Sequence, residues 1–161
     1  MSTIDRLVET SALLRIDVAM GTRDQHMRLL YGTRSFTAWL DELLKGAEPK
    51  NRLGDATPAE QIDELFHAYL TGMPLVFVRQ FRTIRAEKGA VWEFKTPDIR
   101  IFGWFMKKDC FVGVFGNWAD EVKDHDLYRG YRIQIRRLRR DLGIDDTLCV
   151  QGVAPGDVIS L

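Results

Sequence analysis

One arginine interrupts an apolar stretch in which a charged side chain is costly to bury. Arg100 lies among the hydrophobic and aromatic residues of segment 99–106, so its guanidinium must find a polar or anionic partner. A phosphate group would match the planar fork of the guanidinium. The carboxylate of Glu93 on a neighbouring strand would also serve, if Arg100 faces the polar side of a sheet. The sequence leaves both interpretations of Arg100 open.

A second pair of chemically active side chains stands near the start of the last predicted helix. His125 and Tyr128 are three residues apart and should share a helix face. Histidine is the side chain that titrates near neutral pH, so it is a candidate acid–base group. Asp124 and Asp126 flank this histidine, which is equally typical of an ordinary surface residue.

The positive charge of the chain is concentrated in one region. Residues 1–80 carry 9 Lys/Arg and 11 Asp/Glu, residues 81–140 carry 14 and 8, and residues 141–161 carry none and 4. The regional balances are therefore −2, +6 and −4, although the formal net charge of the chain is zero. A local basic segment can bind a polyanion, but arginines that merely solvate the outer face of a helix would give the same count.

Five of the arginines recur at helical spacing and predict one basic stripe along the last helix. They are Arg129, Arg132, Arg136, Arg139 and Arg140. The opposite face carries apolar residues that would pack on a sheet. Such a stripe can follow a phosphate backbone. Trp118, in a predicted loop, is a candidate for stacking on a base.

Helical periodicity dominates the N-terminal half. Apolar residues predict helices up to Gly21 and over residues 36–44. A third helix should begin at Thr57 as its N-cap, with Glu60 completing a capping box. The aromatic residues of segment 75–88 keep helical spacing and favour a further helix, although the start of that segment is also strand-like.

The periodicity then becomes alternating. Turn signals at residues 96–98 and 107–109 divide residues 90–115 into three short strands, which predicts an antiparallel meander. A last helix is predicted over residues 119–142, with Gly143 as its stop. The fold class is therefore predicted to be α+β. We expect N-terminal helices packed beside a small antiparallel sheet, with a basic C-terminal helix.

The length and composition predict one domain, since 161 residues with 45% hydrophobic content can bury a core. It would comprise a helical extension (1–73), a sheet-and-helix part (74–143) and a tail (144–161). No apolar run approaches the roughly 20 residues of a membrane span, and no signal peptide is recognisable. The cysteines and histidines lack metal-ligand spacing. A cytoplasmic location is expected, with no membrane contact, metal or cofactor.

Two strand motifs resemble those of the RelE/HigB superfamily of toxins. Residues 91–95 (Val-Trp-Glu-Phe-Lys) and 98–102 (Asp-Ile-Arg-Ile-Phe) are similar to that family's W/Y-E-L-R and Y-R-I strands, and an apolar strand and a basic segment follow. The resemblance covers residues 75–140. It implies a small sheet with helices on one side that binds mRNA, commonly on the ribosome, and an acidic antitoxin as protein partner. Phe102 stands where a tyrosine is common in that family.

The resemblance also implies a reaction. In that family Lys, Arg, Tyr and His side chains promote attack of a ribose 2′-hydroxyl on the adjacent phosphate without a metal ion. This reaction needs a proton acceptor, a cation for the charge of the phosphorane and an acid for the leaving 5′-oxygen. Arg100 suits the second task. Lys95 and Lys123 match the family's basic residue at the end of the first strand and its Lys-containing loop, and His125 and Tyr128 complete the candidates.

A non-catalytic function is the alternative. No complete acid–base set is recognisable in the sequence, and the N-terminal extension is longer than a minimal nuclease needs. A protein with the same fold could use its basic surface or its N-terminal helices to hold a protein or nucleic-acid partner. Two functions are thus predicted: an mRNA endonuclease toxin of a type II toxin–antitoxin system, or a binding module that acts as an adaptor or inhibitor.

Overall fold

The computed structural model describes residues 3–46 and 56–160 of the chain, which combine helices with one β-sheet. The helices are α1 (Thr3–Glu9), α2 (Arg34–Leu44), α3 (Pro58–Leu70), α4 (Ala119–Asp124), α5 (Tyr128–Asp141) and α6 (Pro155–Val158). The strands are β1 (Leu13–Arg15), β2 (Leu29–Thr33), β3 (Phe81–Thr83), β4 (Trp92–Lys95), β5 (Ile99–Lys107) and β6 (Cys110–Trp118). The prediction of a mixed α+β fold is confirmed. None of the helices in these ranges is long and apolar enough to cross a membrane.

The predicted meander forms the centre of a larger sheet. Strands β4, β5 and β6 pair antiparallel, with turns at residues 96–98 and 108–109, close to where the turn signals placed them. The sheet of the described residues has six strands in the order β1-β2-β6-β5-β4-β3, and β2 pairs parallel with β6. The meander is confirmed, but the sheet has six strands in the described residues and not the three that were predicted.

Two segments predicted as helices contain strands instead. The first helix ends at Glu9, and residues 13–15 pair with β2 as strand β1. Segment 75–88 contains β3, because Phe81 pairs with Phe94 on β4 and is fully buried there. Val78 has a φ of 72°, which no helix accommodates. Burial of an aromatic side chain in the sheet therefore overrides the helical spacing of this segment.

The helix ends follow local chemistry. Thr57 caps α3, and its side chain and that of Glu60 form the predicted capping box. The predicted helix over residues 119–142 is wrong as one element. It breaks after Asp124, where Asp126 adopts a φ of 47°, and resumes at Tyr128. Gly143 has a φ of 81° and follows α5, as the predicted stop requires.

Each face of the sheet carries its own hydrophobic core. The α2–α3 core includes Phe36, Leu40, Leu65, Phe66, Trp92, Phe94, Ile101, Phe105 and Phe111. The α5 core includes Leu7, Val91, Phe102, Trp104, Cys110, Val112, Val122 and Ile135. Most of the aromatic residues of β4, β5 and β6 are thus buried, and burial raises the pKa of the Cys110 thiol to about 11.

The C-terminal segment is attached to the sheet rather than trailing from it. Val158 and Ile159 are fully buried in the α2–α3 core. The backbone N–H and the hydroxyl of Ser160 donate to the carboxylate of Asp109 in the β5–β6 turn, at 2.8 and 2.6 Å. The buried Arg28 donates to the carbonyl of Ser160 at 2.8 Å. This network fixes the end of the described chain against the hairpin.

Candidate functional site

Two cations face each other at the turn end of the β4–β5 hairpin. The register of the two antiparallel strands places Lys95 directly opposite Arg100. Like charges in such a cross-strand pair destabilise a sheet. The pair therefore lowers stability in the free protein, and an anion bound between the two cations would remove the repulsion.

Arg100 is buried without a carboxylate partner. Only 7% of the residue is exposed, and its Nη1 donates to the carbonyl oxygens of Thr96 and Ile99 at 2.5 and 3.0 Å. Its Nε has no hydrogen-bond partner. Among the described residues, no carboxylate forms an ion pair with this guanidinium. A permanent charge in this position needs a compensating anion.

The predicted alternative, in which Arg100 pairs with Glu93, is wrong. Glu93 is fully buried and lies opposite Arg82 in the β3–β4 register. Arg82 Nε lies 2.9 Å from Glu93 Oε1, whereas Lys95 Nζ lies 4.0 Å from the same oxygen. Arg82 is therefore the ion-pair partner of Glu93 that the sequence predicted Arg100 could be. It was missed because the helix predicted over residues 75–88 conceals strand β3.

The ammonium group of Lys95 loses its proton more readily than that of an ordinary lysine. Its side chain is only 18% exposed, and burial lowers the pKa of its ammonium group. The neighbouring charges of Arg82, Arg100 and Lys123 lower this pKa further, while Glu93 opposes them. Lys95 can therefore accept a proton at a lower pH than a solvated lysine would.

Tyr128 lies in the first turn of α5 and packs against residues of the sheet. The guanidinium of Arg82 lies 5.6 Å from the centre of its ring, and the ring of Phe102 packs edge-on at 5.8 Å. Burial, and then the charge of Glu93, raise the pKa of its hydroxyl. The hydroxyl consequently stays protonated and can serve as a hydrogen-bond or proton donor.

The remaining catalytic candidates lie on α4 and at its end. Lys123 is exposed, yet its charge is close enough to lower the pKa of Lys95. His125 has a 65% exposed side chain, and its Nε2 lies 3.4 Å from Glu121 Oε2. The helix break separates His125 from Tyr128, so the prediction that they share one helix face is wrong. The charges of Arg100 and Lys123 act on Lys95 and the charge of Arg100 acts on Tyr128, which groups these four side chains, whereas His125 pairs with Glu121.

The single basic stripe predicted along α5 is also wrong. Arg132 donates two hydrogen bonds to Glu87, both at 2.6 Å. Arg136 and the fully buried Arg139 both bind Asp146, at 2.6 and 2.5 Å. These three arginines therefore attach the helix to the segments on either side of it.

Their partners Glu87 and Asp146 lie outside the helix, which is why helical spacing alone could not separate these arginines from the exposed ones. Arg129 and Arg140 are exposed and remain available to a polyanion. Trp118 is the last residue of β6 and packs partly buried against the α2–α3 core, so it is not the exposed loop residue that was predicted.

A cavity of about 590 Å³ opens beside the two opposed cations. Its walls come from α3, from the segment before β3 and from the β4–β5 turn. They are formed by Ala56, Gln61, Glu64, Leu65, Ala68, Arg79, Gln80, Lys95, Thr96, Pro97 and Arg100. Three of these residues are cations and one is a carboxylate, so the cavity favours anionic ligands.

No protein-family model, curated protein or solved structure matches this chain. Its function is therefore inferred from the residues of the site. A partly buried group of cations, a lysine with a lowered pKa and a protonated phenol are the groups that phosphate binding and proton transfer require.

Proposed function

We propose that this chain is a metal-independent endoribonuclease that cleaves mRNA, in keeping with its resemblance to the RelE/HigB toxins. The observation that carries the proposal is the buried Arg100, which lies opposite Lys95 and pairs with no carboxylate among the described residues. A phosphodiester would supply the missing negative charge, and its oxygens match the donors of the guanidinium. The proposed site of action is the cytoplasm, where mRNA is translated.

The neighbouring side chains can supply a balanced transesterification. The neutral amine of Lys95 accepts the proton of the ribose 2′-hydroxyl, and the 2′-oxygen forms a bond to phosphorus. Arg100 stabilises the phosphorane charge, and the hydroxyl of Tyr128 gives its proton to the 5′-oxygen as the P–O5′ bond breaks. The products are a 2′,3′-cyclic phosphate and a 5′-hydroxyl, and no metal or redox partner is required.

The surroundings of the pair extend this site toward a longer RNA. Lys123 is exposed beside Lys95, and Arg129 and Arg140 are exposed on α5, where they would contact backbone phosphates. The same cations would also bind the acidic segment of an antitoxin. Binding of an acidic protein would then inhibit cleavage by occupying the place of the phosphate.

Cleavage is tested with purified chain and a defined mRNA, both free and engaged by translating ribosomes, in the presence of a metal chelator. We expect chelator-insensitive cuts that leave a 2′,3′-cyclic phosphate, and none at a position where the 2′-hydroxyl is replaced by hydrogen. The variant Arg100→Gln should abolish these cuts, whereas Arg137→Gln removes an equal charge from an exposed position of α5 and serves as the matched control. Cuts that persist without the 2′-hydroxyl would refute the mechanism.

A binding module is the second candidate, because one exposed segment is unusually apolar. Met73, Val76, Phe77 and Val78 are each 40 to 54% exposed in the connection between α3 and β3. Exposed apolar surface of this kind is typical of protein-binding sites. The absence of RNA cleavage, on ribosomes and off them, would favour this second function over the first.

A further inference from the structure

We propose that the cavity beside Lys95 and Arg100 binds one guanine nucleotide of the RNA, with its phosphate on the cations and its base against the wall of α3. This inference rests on the proposed function in taking RNA as the ligand of the site. It adds a specificity pocket, in which Glu64 and Arg79 are distinct from the groups that would transfer protons and Lys95 is shared with them.

The size and walls of the cavity suit a nucleotide. Its volume of about 590 Å³ lies within the range of small-molecule sites, which is about 300 to 1,000 Å³. Leu65, Ala68 and Pro97 provide an apolar wall on which a flat base can lie. Arg79, Lys95 and Arg100 place positive charge on the same cavity. A ligand that matches these walls has an aromatic body and an anionic end.

The anionic end is required by Arg100. This residue is more than nine-tenths buried, it is one of the residues that line the cavity, and no carboxylate among the described residues pairs with it. The cation across the strand pair, Lys95, lines the same cavity. A phosphate seated there would compensate both charges at once, which a neutral base alone could not do.

The nucleotide base that the cavity prefers depends on which polar groups of its walls have no hydrogen-bond partner among the described residues. Gln61 donates to Ala56 and Asp98 and accepts from Thr96 and the Asp98 backbone, so its amide is fully used. The amide oxygen of Gln80 accepts from the Val76 backbone.

Glu64 is the one carboxylate among the wall residues, and within the described part of the chain it forms no hydrogen bond or ion pair. A carboxylate accepts two parallel N–H donors. Guanine presents such a pair on its N1 and N2 atoms, whereas each other RNA base presents one donor group on that edge. Glu64 therefore selects guanine.

The test measures binding of 5′-GMP, 5′-AMP, 5′-CMP, 5′-UMP and inorganic phosphate to the full chain by calorimetry at low salt. We expect GMP to bind about tenfold more tightly than UMP, which is the usual discrimination from one bidentate contact. Glu64→Gln should abolish the preference for GMP, and Arg79→Gln should weaken all four nucleotides alike. Asp63→Asn, at the exposed neighbour of Glu64 on α3, is the matched control and should change nothing.

Each outcome of this test bears on the inference separately from RNA cleavage. Equal affinity for the four nucleotides, absence of binding, or a GMP preference that survives Glu64→Gln would overturn the guanine pocket. If inorganic phosphate binds as tightly as GMP, the cavity recognises only the anion, and the inference of a guanine pocket is also overturned. GMP binding as expected in a chain that cleaves no RNA would leave the pocket standing and refute the proposed nuclease.

Discussion

Arg82, and not Arg100, neutralises the buried carboxylate of Glu93, with 2.9 Å between its Nε and Glu93 Oε1. This pairing leaves Arg100 beside Lys95, and among the described residues its hydrogen-bond partners are the carbonyl oxygens of Thr96 and Ile99. Arg82 thus stabilises the sheet through an ion pair, whereas the charge of Arg100 is not neutralised by any described carboxylate.

The first prediction contrasts these two arginines through stability. Arg82→Met should lower the free energy of unfolding by about 1 to 3 kcal/mol, because it leaves the buried carboxylate of Glu93 with the more distant Lys95 Nζ, at 4.0 Å, in place of its hydrogen-bonded partner. Arg100→Met should leave the free energy unchanged or raise it, because it removes a like-charge contact and a buried cation. Urea denaturation of both variants measures the difference. A larger loss from Arg100→Met than from Arg82→Met would show that Arg100 is structural.

A second prediction concerns the pH dependence of cleavage. Because the pKa of Lys95 lies below its ordinary value of 10.5, the neutral amine becomes available as pH rises toward that lowered pKa. The cleavage rate should therefore increase with pH and level off below about pH 10.5. The hydroxyl of Tyr128, whose pKa is raised, remains a proton donor over this range.

Lys95→Arg keeps the positive charge but cannot lose its proton in the accessible pH range. We expect it to retain RNA binding and to lose the rising limb of the pH profile. Lys45→Arg, on the exposed end of α2, is the matched control. A rising limb that survives in Lys95→Arg would assign the base to another residue.

Part of the fold could be predicted from the sequence because its signals are local. The turns at residues 96–98 and 107–109 and the capping box of Thr57 and Glu60 depend on residues within a few positions of each other. Strand β3 could not be predicted. Its sequence satisfies helical spacing, and only the burial of Phe81 against β4 selects a strand.

The residues of the candidate site also differ in whether their signals are local in sequence. Lys95 and Arg100 could be chosen from the sequence because they end and begin neighbouring strands of one hairpin. The role of Arg82 could not, because it depends on the missed strand. The roles of Arg132 and Arg139 also escaped prediction, since their partners Glu87 and Asp146 come from segments outside the helix.

The third prediction separates the structural arginines of α5 from the exposed ones. Arg139→Met should destabilise the protein by about 1 to 3 kcal/mol, because it removes the ion pair of a fully buried guanidinium with the partly exposed Asp146 and a hydrogen bond to the Gly89 carbonyl. Replacing Arg129 and Arg140 together by glutamine should leave stability within about 0.5 kcal/mol.

If RNA follows α5, the same double variant should weaken RNA binding and flatten its dependence on salt, since fewer counterions are displaced. Filter binding at two salt concentrations measures the slope, with Arg137→Gln as the exposed control. An unchanged slope would place the RNA away from this helix.

The last prediction concerns the whole function in a cell. Induced expression of the wild-type chain should arrest growth and yield cleaved transcripts on translating ribosomes. Arg100→Ala should relieve the arrest, since losing one donor to a developing negative charge typically lowers the rate about 100- to 1,000-fold. Growth arrest alone would not establish the chemistry, so the ends of the transcripts are mapped in the same cells. The variant must also accumulate in folded form, which its expected stability allows. If the wild-type chain neither slows growth nor cuts transcripts, the nuclease proposal fails and the binding module takes its place.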